Sequence, residues 1–209
     1  PLNRSTLARI PESVDVHDIR QIGRTIRHGR LALNPNDRQH YRRQPRLRHA
    51  GVYWREWRHE DGQFVDTRDN KPFSTAFSFT RFLVPSLCRW NGIALYCDCD
   101  FLWRGDVGVL FDEFDPQSAV QVVKHDHFPI ESFKMEGQIQ TRYYRKNWSS
   151  LILYNCDHTS NYILTPHKVS HMRGQWLHAF GWLGDNEIGS LDPTWNWLSG
   201  IDRVDINPK

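Results

Sequence analysis

The chain has 209 residues, a formal net charge of +3 and four cysteines, which fits a single domain or a single domain with an arm. It contains no apolar run near the ~20 residues that a membrane-spanning helix needs. The cysteine spacing does not match the disulfide framework of a small secreted domain, so we expect a reducing, cytoplasmic environment.

Positive charge is concentrated in the N-terminal third. Residues 20–58 contain eleven arginines and only two acidic residues. We interpret residues 20–50 as a basic, flexible segment that can contact an anionic membrane surface or another anionic partner. A solvated segment without a partner fits the same pattern. Aromatic residues are sparse before Tyr53, which argues against a groove for single-stranded nucleic acid, so we expect no nucleic-acid partner. Residues 14–19 alternate apolar and polar side chains and predict a strand.

A helix followed by a strand is predicted between residues 75 and 97. Four apolar side chains fall at helical spacing and form one stripe: Phe79, Phe82, Leu83 and Leu87. Pro85 is expected to kink the last turn, and Asn91-Gly92 to end the helix. The apolar run from Ile93 to Cys97 is typical of a buried parallel strand.

Two carboxylates come directly after this strand. Asp98 and Asp100 are separated by one residue, so they point to the same side of an extended chain. At the carboxyl end of a strand, where open α/β sheets bind ligands, such a pair can hold a hard divalent cation. The alternative is two aspartates that end a strand at the surface. The apolar residues 101–103 that follow argue against a solvated turn.

Further elements are predicted along the rest of the chain. They are a helix at 107–114, strands at 119–124 and 148–156, and a helix from Pro166 to about Arg173. Thr165 is the expected cap of this last helix, and Gly174 its expected stop. His125 and His127 follow the strand at 119–124, and we interpret them as hydrogen-bonding groups in preference to metal ligands.

The segment TRFLVPSL…GIALYCDCDFLWRGDVGVLF resembles the GT-A glycosyltransferases, in particular the glycogenin-like and bacterial family-8-like enzymes. The residues that carry the resemblance are Arg81, Pro85, Leu95, Tyr96, Asp98, Asp100, Gly105, Asp106, Val107, Leu110 and Phe111. Segments 146–156 and 182–198 extend it to roughly residues 50–198. It implies an α/β, GT-A (Rossmann-like) fold with a mixed, mainly parallel sheet and helices on both faces. Residues 1–209 would form one such domain, truncated at one or both ends.

The resemblance implies a metal-dependent glycosyltransferase that uses a nucleotide sugar, with UDP the expected nucleotide and retention of anomeric configuration. Mn²⁺ or Mg²⁺ held by Asp98 and Asp100 would neutralise the departing diphosphate. The acceptor would be a glycan, a lipid-linked sugar or a protein. The residues expected to contact the donor are Arg81, Asp98, Lys146, Ser149 and Ser150.

The resemblance also implies that Asp185 faces the reacting sugar carbon, although an aspartate that caps the next turn would look the same in sequence. Ser149 and Ser150 could equally be ordinary serines at the edge of a strand. His178 is a candidate third metal ligand, or a histidine packed in the core because its neighbours are apolar.

Other functions share parts of this sequence pattern. One alternative is an inactive nucleotide-sugar or carbohydrate-binding module. A nucleotidyltransferase would carry a Gly-rich phosphate loop near its N-terminus, and this sequence has none. A nucleic-acid-binding protein is supported only by residues 20–58. Zinc binding by Cys97 and Cys99 lacks a second pair of ligands at the usual spacing.

Overall fold

The computed structural model of the protein describes residues 53–60, 62–73, 78–98, 101–125 and 145–198. Several predictions concern residues outside these ranges and are not addressed by the structure. They are the strand at 14–19, the basic segment at 20–50, Cys99, Asp100 and His127.

In chain order, the strands are β1 (Trp57–Glu60), β2 (Gln63–Asp66), β3 (Pro72–Phe73), β4 (Ile93–Cys97), β5 (Val120–Val122), β6 (Leu151–Asn155) and β7 (Ile188–Ser190). The α-helices of the described ranges are α1 (Val84–Leu87), α2 (Val109–Asp112), α3 (Pro166–His171) and α4 (Gly174–His178). Short 3-10 helices cover Thr80–Leu83, Trp148–Ser150, Thr159–Ile163, Asp185–Glu187 and Pro193–Asn196. Among these described segments, no helix has the length and apolar character needed to cross a membrane.

The first sheet is a small antiparallel one, in the order β1-β2-β3. Glu60 pairs with Gln63, so a two-residue turn joins β1 and β2. Gly62 in this turn has a φ of +79°, a conformation that glycine adopts without steric cost. Glycine is therefore well suited to position 62.

The second sheet has the order β4-β6-β5-β7. β6 is antiparallel to both β4 and β5, and only the β5–β7 pairing is parallel. The mixed α/β class is confirmed, but the prediction of a mainly parallel sheet is wrong for the described strands. The apolar run at 93–97 indicated a buried strand, yet β4 lies at an edge of the described sheet and only Ala94 in it is buried. An apolar run reports partial burial and carries no information on the direction of the neighbouring strand.

The core lies on both faces of the second sheet because alternate residues of β6 point to opposite sides. Ile152 and Tyr154 belong to one buried cluster, which includes side chains from α1, α3 and α4. Leu151 and Leu153 belong to the other cluster, which includes Leu110 of α2. Both faces of β6 are thus covered by helical residues.

The predicted helix before β4 is formed in two pieces. The four residues of the apolar stripe, Phe79, Phe82, Leu83 and Leu87, are all buried. A 3-10 helix at Thr80–Leu83 leads into α1, and Pro85 lies in the first turn of α1, where it costs no hydrogen bond. The helix predicted at 107–114 is reduced to Val109–Asp112.

The helix predicted from Pro166 is present as α3. Thr165 caps it by accepting a hydrogen bond from the Lys168 amide at 3.1 Å. Gly174 does not stop a helix as predicted but begins α4. A Cβ at this position would lie 2.6 Å from the Phe79 ring, so glycine is needed there for close packing.

A buried ion pair connects the small sheet to α3. The guanidinium of Arg55 pairs with Asp66 of β2, and both side chains are almost fully buried. Arg55 also donates to the carbonyl of Val169 at 3.0 Å and lies over the Phe79 ring, 3.9 Å from its centre. This residue therefore joins three segments that are distant in sequence.

Candidate functional site

Asp98 is the first residue after β4, and its position is fixed by the neighbouring strand segment. Its amide donates to the carbonyl of Ser150 at 2.9 Å, just before β6 begins. Its side chain is 24% exposed. The carboxylate is therefore at the end of the sheet and within reach of solvent.

Two side chains hold the Asp98 carboxylate. Arg81 contacts it with both terminal nitrogens, at 2.9 Å to Oδ1 and 3.3 Å to Oδ2. The hydroxyl of Tyr96 donates to Oδ1 at 2.7 Å. A carboxylate has about four acceptor positions, so the three contacts leave one in which a further ligand can be held.

Arg81 is itself buried and anchored by the backbone. Its guanidinium donates to the carbonyls of Ser149 at 2.6 Å and Ser78 at 3.0 Å. Burial raises the pKa of Tyr96 well above its usual value, and the nearby Arg81 charge opposes this shift only in part. The Tyr96 phenol therefore stays protonated near neutral pH and acts as a donor to Asp98.

Ser149 and Ser150 lie in the 3-10 helix before β6 and not at the strand edge. The Ser149 hydroxyl is hydrogen-bonded to Nδ1 of His178 at 2.9 Å. The Ser150 hydroxyl donates to the carbonyl of Asn147 and accepts from Asn196, each at 2.8 Å. Both serines thus take part in specific contacts beside Asp98.

His178 packs between two phenylalanine rings. The centre of its ring is 5.7 Å from that of Phe79 and 5.2 Å from that of Phe82. This surrounding fits the interpretation of a packed, hydrogen-bonded core histidine. Within residues 53–60, 62–73, 78–98, 101–125 and 145–198, no three His, Cys, Asp or Glu side chains form a group that could hold a metal ion.

Basic side chains surround Trp148, the residue before Ser149. Lys124 and Arg145 each lie 5.9 Å from the centre of the Trp148 ring, and the indole donates to the carbonyl of His125 at 3.0 Å. Lys146 is buried. Positive charge is therefore concentrated on the segment that leads into the Asp98 site.

Asp185 is the first residue of the 3-10 helix at 185–187. Its side chain is 76% exposed and forms an ion pair with Arg145. Arg145 also donates to the carbonyls of Ala179 at 2.9 Å and Phe180 at 3.2 Å. Asp185 is thus connected to the segment at 145–150 through a well-anchored arginine.

A different acidic residue caps the 185–187 turn. The Glu187 carboxylate accepts from the Gly184 amide at 2.8 Å and from the Ser160 hydroxyl. Hydrogen bonds, first from Ser160 and then from Gly184, lower the pKa of Glu187. The capping role that the sequence left open for Asp185 is filled at Gly184 by Glu187.

The structure brings together some of the predicted site residues and adds others. Arg81, Asp98 and Ser149 are in direct contact. Tyr96 and Arg145 are the added residues, since neither was predicted to belong to the site. Tyr96 could have been found, because it lies two residues before Asp98 and so shares its side of the strand. No sequence signal marks Arg145 as the partner of a residue that comes much later in the chain.

Comparison with known proteins finds one curated relative that is not named as a glycosyltransferase. The curated Protein CDI of Arabidopsis thaliana is 47% identical over 158 residues, which cover 76% of this chain and 56% of that protein. The matched segment therefore spans little more than half of the relative. No protein family model matches the chain, and no solved structure matches it.

These findings contradict the resemblance to the GT-A glycosyltransferases. The relative is named Protein CDI and not as a glycosyltransferase. Neither a family model nor a solved structure supports a GT-A fold. The residues that suggested the resemblance have a local explanation. Arg81, Tyr96 and Asp98 form one hydrogen-bonded group at the end of a strand, and such a group can arise in more than one fold.

Proposed function

We propose that this protein is a metal-dependent glycosyltransferase that moves a sugar from a nucleotide sugar, with UDP the expected nucleotide, to an acceptor. The environment of Asp98 supports the proposal, which does not depend on a GT-A fold. A carboxylate held by a buried arginine and a tyrosine is a preorganised oxygen ligand for Mn²⁺ or Mg²⁺. The residues fit such an ion, because Asp98 keeps an acceptor position and Asp100 follows two residues later.

In this proposal Asp98 and Asp100 would hold the cation, whose positive charge would offset the negative charge of the diphosphate leaving group. Arg81 keeps the Asp98 carboxylate oriented, while Ser149 and Ser150 fix both residues through their backbone carbonyls. Lys146 adds positive charge on the segment next to these serines. Binding of an anionic donor is favoured because basic groups outnumber acidic ones on this segment.

Asp185 is the proposed catalytic residue. Its carboxylate is exposed, and Arg145 holds it in one orientation. A fixed carboxylate can stabilise the positive charge that develops on the sugar ring as the bond to the diphosphate breaks. We further propose that transfer retains the anomeric configuration. The acceptor would be a glycan, a lipid-linked sugar or a protein, with residues 20–50 contacting an anionic surface.

An inactive binding module is the second candidate, and one observation favours it. Both oxygens of Asp98 are already engaged by Arg81, so the charge of the carboxylate is compensated without a metal ion. A purely structural aspartate would have similar contacts. In that case the protein would bind a nucleotide sugar or carbohydrate without turning it over.

The deciding experiment measures binding and release on one preparation. Titration calorimetry with UDP, in Mn²⁺ and in EDTA, should show tighter binding with Mn²⁺, and Asp100→Asn should remove most of the difference. Incubation with a panel of nucleotide sugars and Mn²⁺ should release free nucleoside diphosphate. Equal UDP affinity in Mn²⁺ and EDTA would contradict the metal site. Binding without release for every donor would support the inactive module.

A further inference from the structure

Helix α3 presents two histidines one helical turn apart. The rings of His167 and His171 are stacked, with centres 4.2 Å apart and planes at 21°. His167 is exposed and His171 partly exposed. Residues four apart lie on the same face of a helix, so both imidazoles reach the surface at one place.

A third aromatic ring fixes this pair from the side. The Trp54 ring lies edge-on to both histidines, and its centre is 6.4 Å from that of His167 and 6.3 Å from that of His171. The Trp54 amide donates to the Ser170 hydroxyl of α3 at 3.3 Å. The indole is therefore held beside the histidines and can report on anything that binds to them.

A hydrogen bond sets the tautomer of His171. Its Nδ1 is 2.8 Å from the carbonyl oxygen of His167. A carbonyl oxygen can only accept, so Nδ1 carries the hydrogen and the neutral ring has its lone pair on Nε2. Metal-ligating histidines in proteins are usually oriented in this way, with the other ring nitrogen donating to a carbonyl or carboxylate.

We propose that His167 and His171 form a binding site for a divalent transition metal ion of the Cu²⁺, Ni²⁺ or Zn²⁺ type. Imidazole nitrogens suit these ions, whereas Mg²⁺ and Mn²⁺ prefer oxygen. In the near-parallel stack the in-plane lone pairs of the two rings do not meet at one point, so the exposed His167 ring must turn out of the stack for both rings to bind one ion. Water molecules would complete the coordination. The neighbouring positive charge of Lys168 is directed to the Trp176 ring, 5.9 Å from its centre. The site does not depend on the proposed sugar transfer, because it uses other residues and selects other metals.

The test is a Cu²⁺ titration of the full chain without an affinity tag, in which tryptophan fluorescence is recorded after each addition. Bound Cu²⁺ should quench Trp54, and electron paramagnetic resonance should show two nitrogen ligands. His167→Gln and His171→Gln should each weaken binding by at least ~10-fold, since each removes one of two ligands. His59→Gln is the matched control, because His59 also lies against an aromatic ring, that of Phe64, but belongs to a strand. This variant should bind Cu²⁺ as the wild type does.

Melting temperatures in EDTA show whether each variant is folded. Because His167 is exposed, we expect its substitution to disturb the fold less than that of His171. If folded His167→Gln binds Cu²⁺ with unchanged affinity, or if the wild-type spectrum shows a single nitrogen ligand, the proposed site is wrong. Loss of quenching in both histidine variants, with normal quenching in His59→Gln, supports it.

Discussion

The role of Tyr96 can be tested by removing one oxygen atom. Tyr96→Phe deletes the hydroxyl that donates to Asp98 and leaves the ring in place. Hydrogen bonds to charged groups contribute about 1.5–3 kcal/mol, so the Mn²⁺-dependent affinity for UDP should fall by roughly 10-fold or more. Tyr162→Phe, at an exposed position, is the control and should leave the affinity unchanged. Equal affinities for both variants would mean that Tyr96 does not position Asp98.

Asp185 and Glu187 share one turn but should respond differently to substitution. Asp185→Asn should lower the transfer rate by ~100-fold, which corresponds to about 2.7 kcal/mol in the barrier, with little change in melting temperature. Glu187→Ala removes the cap, so it should cost roughly 1 kcal/mol of stability and leave the rate per folded molecule near normal. Measurement of turnover and melting on both variants decides the matter. A normal rate in Asp185→Asn would remove Asp185 from the reaction.

The Glu187 cap also makes stability depend on pH. Hydrogen bonds from Ser160 and Gly184 hold the pKa of Glu187 below its usual value. A carboxyl group with a lowered folded-state pKa stabilises the protein above its unfolded pKa, about 4.3, and this contribution disappears as the pH falls further. The free energy of unfolding should therefore decline below about pH 5, and it should decline less in Glu187→Ala. Parallel declines in chemical denaturation would show that the cap is not the cause.

At the scale of elements, breaking the buried Arg55–Asp66 pair should lower the free energy of unfolding more than breaking an exposed ion pair does. Arg55→Met leaves the Asp66 carboxylate buried without its partner, and such changes cost about 3–5 kcal/mol. Arg58→Met is the control, because the Arg58–Glu60 pair on β1 is exposed, with side-chain exposures of 43% and 52%. Exposed pairs contribute about 0–1 kcal/mol. Urea denaturation should separate the two variants clearly; similar midpoints would show that the buried pair does not hold the small sheet on α3.

The elements themselves were only partly predictable. The strand at Ile93–Cys97 has the predicted ends, and the helix that begins at Pro166 has the predicted start, because apolar runs, caps and prolines act locally. The antiparallel direction of β6 and the start of α4 at Gly174 were not predicted. Both depend on contacts with residues distant in sequence, such as Phe79 against Gly174. The contacts of Asp98 with Arg81 and Asp185 with Arg145 are of the same distant kind.

For the whole molecule, the excess of arginine before residue 50 should be separable from the proposed donor site. Replacing Arg42, Arg43, Arg46 and Arg48 by serine should leave the release of nucleoside diphosphate nearly unchanged. The same variant should lose binding to vesicles that contain anionic lipid, since each basic residue near such a surface contributes about 1 kcal/mol. Neutral vesicles are the control. A collapse of nucleotide-sugar turnover with the fold intact would assign these arginines to the donor site.

The order of strands in the second sheet has a consequence for how the chain folds. β6 is the neighbour of both β4 and β5, and β5 pairs on its other side with β7. During synthesis, β4 and β5 therefore leave the ribosome well before the strands that pair with them. Contacts between distant segments form slowly. Until they form, the unpaired strand edges can pair with other chains and cause aggregation. Newly made chains should thus be most prone to aggregate in the interval before β6 and β7 have emerged.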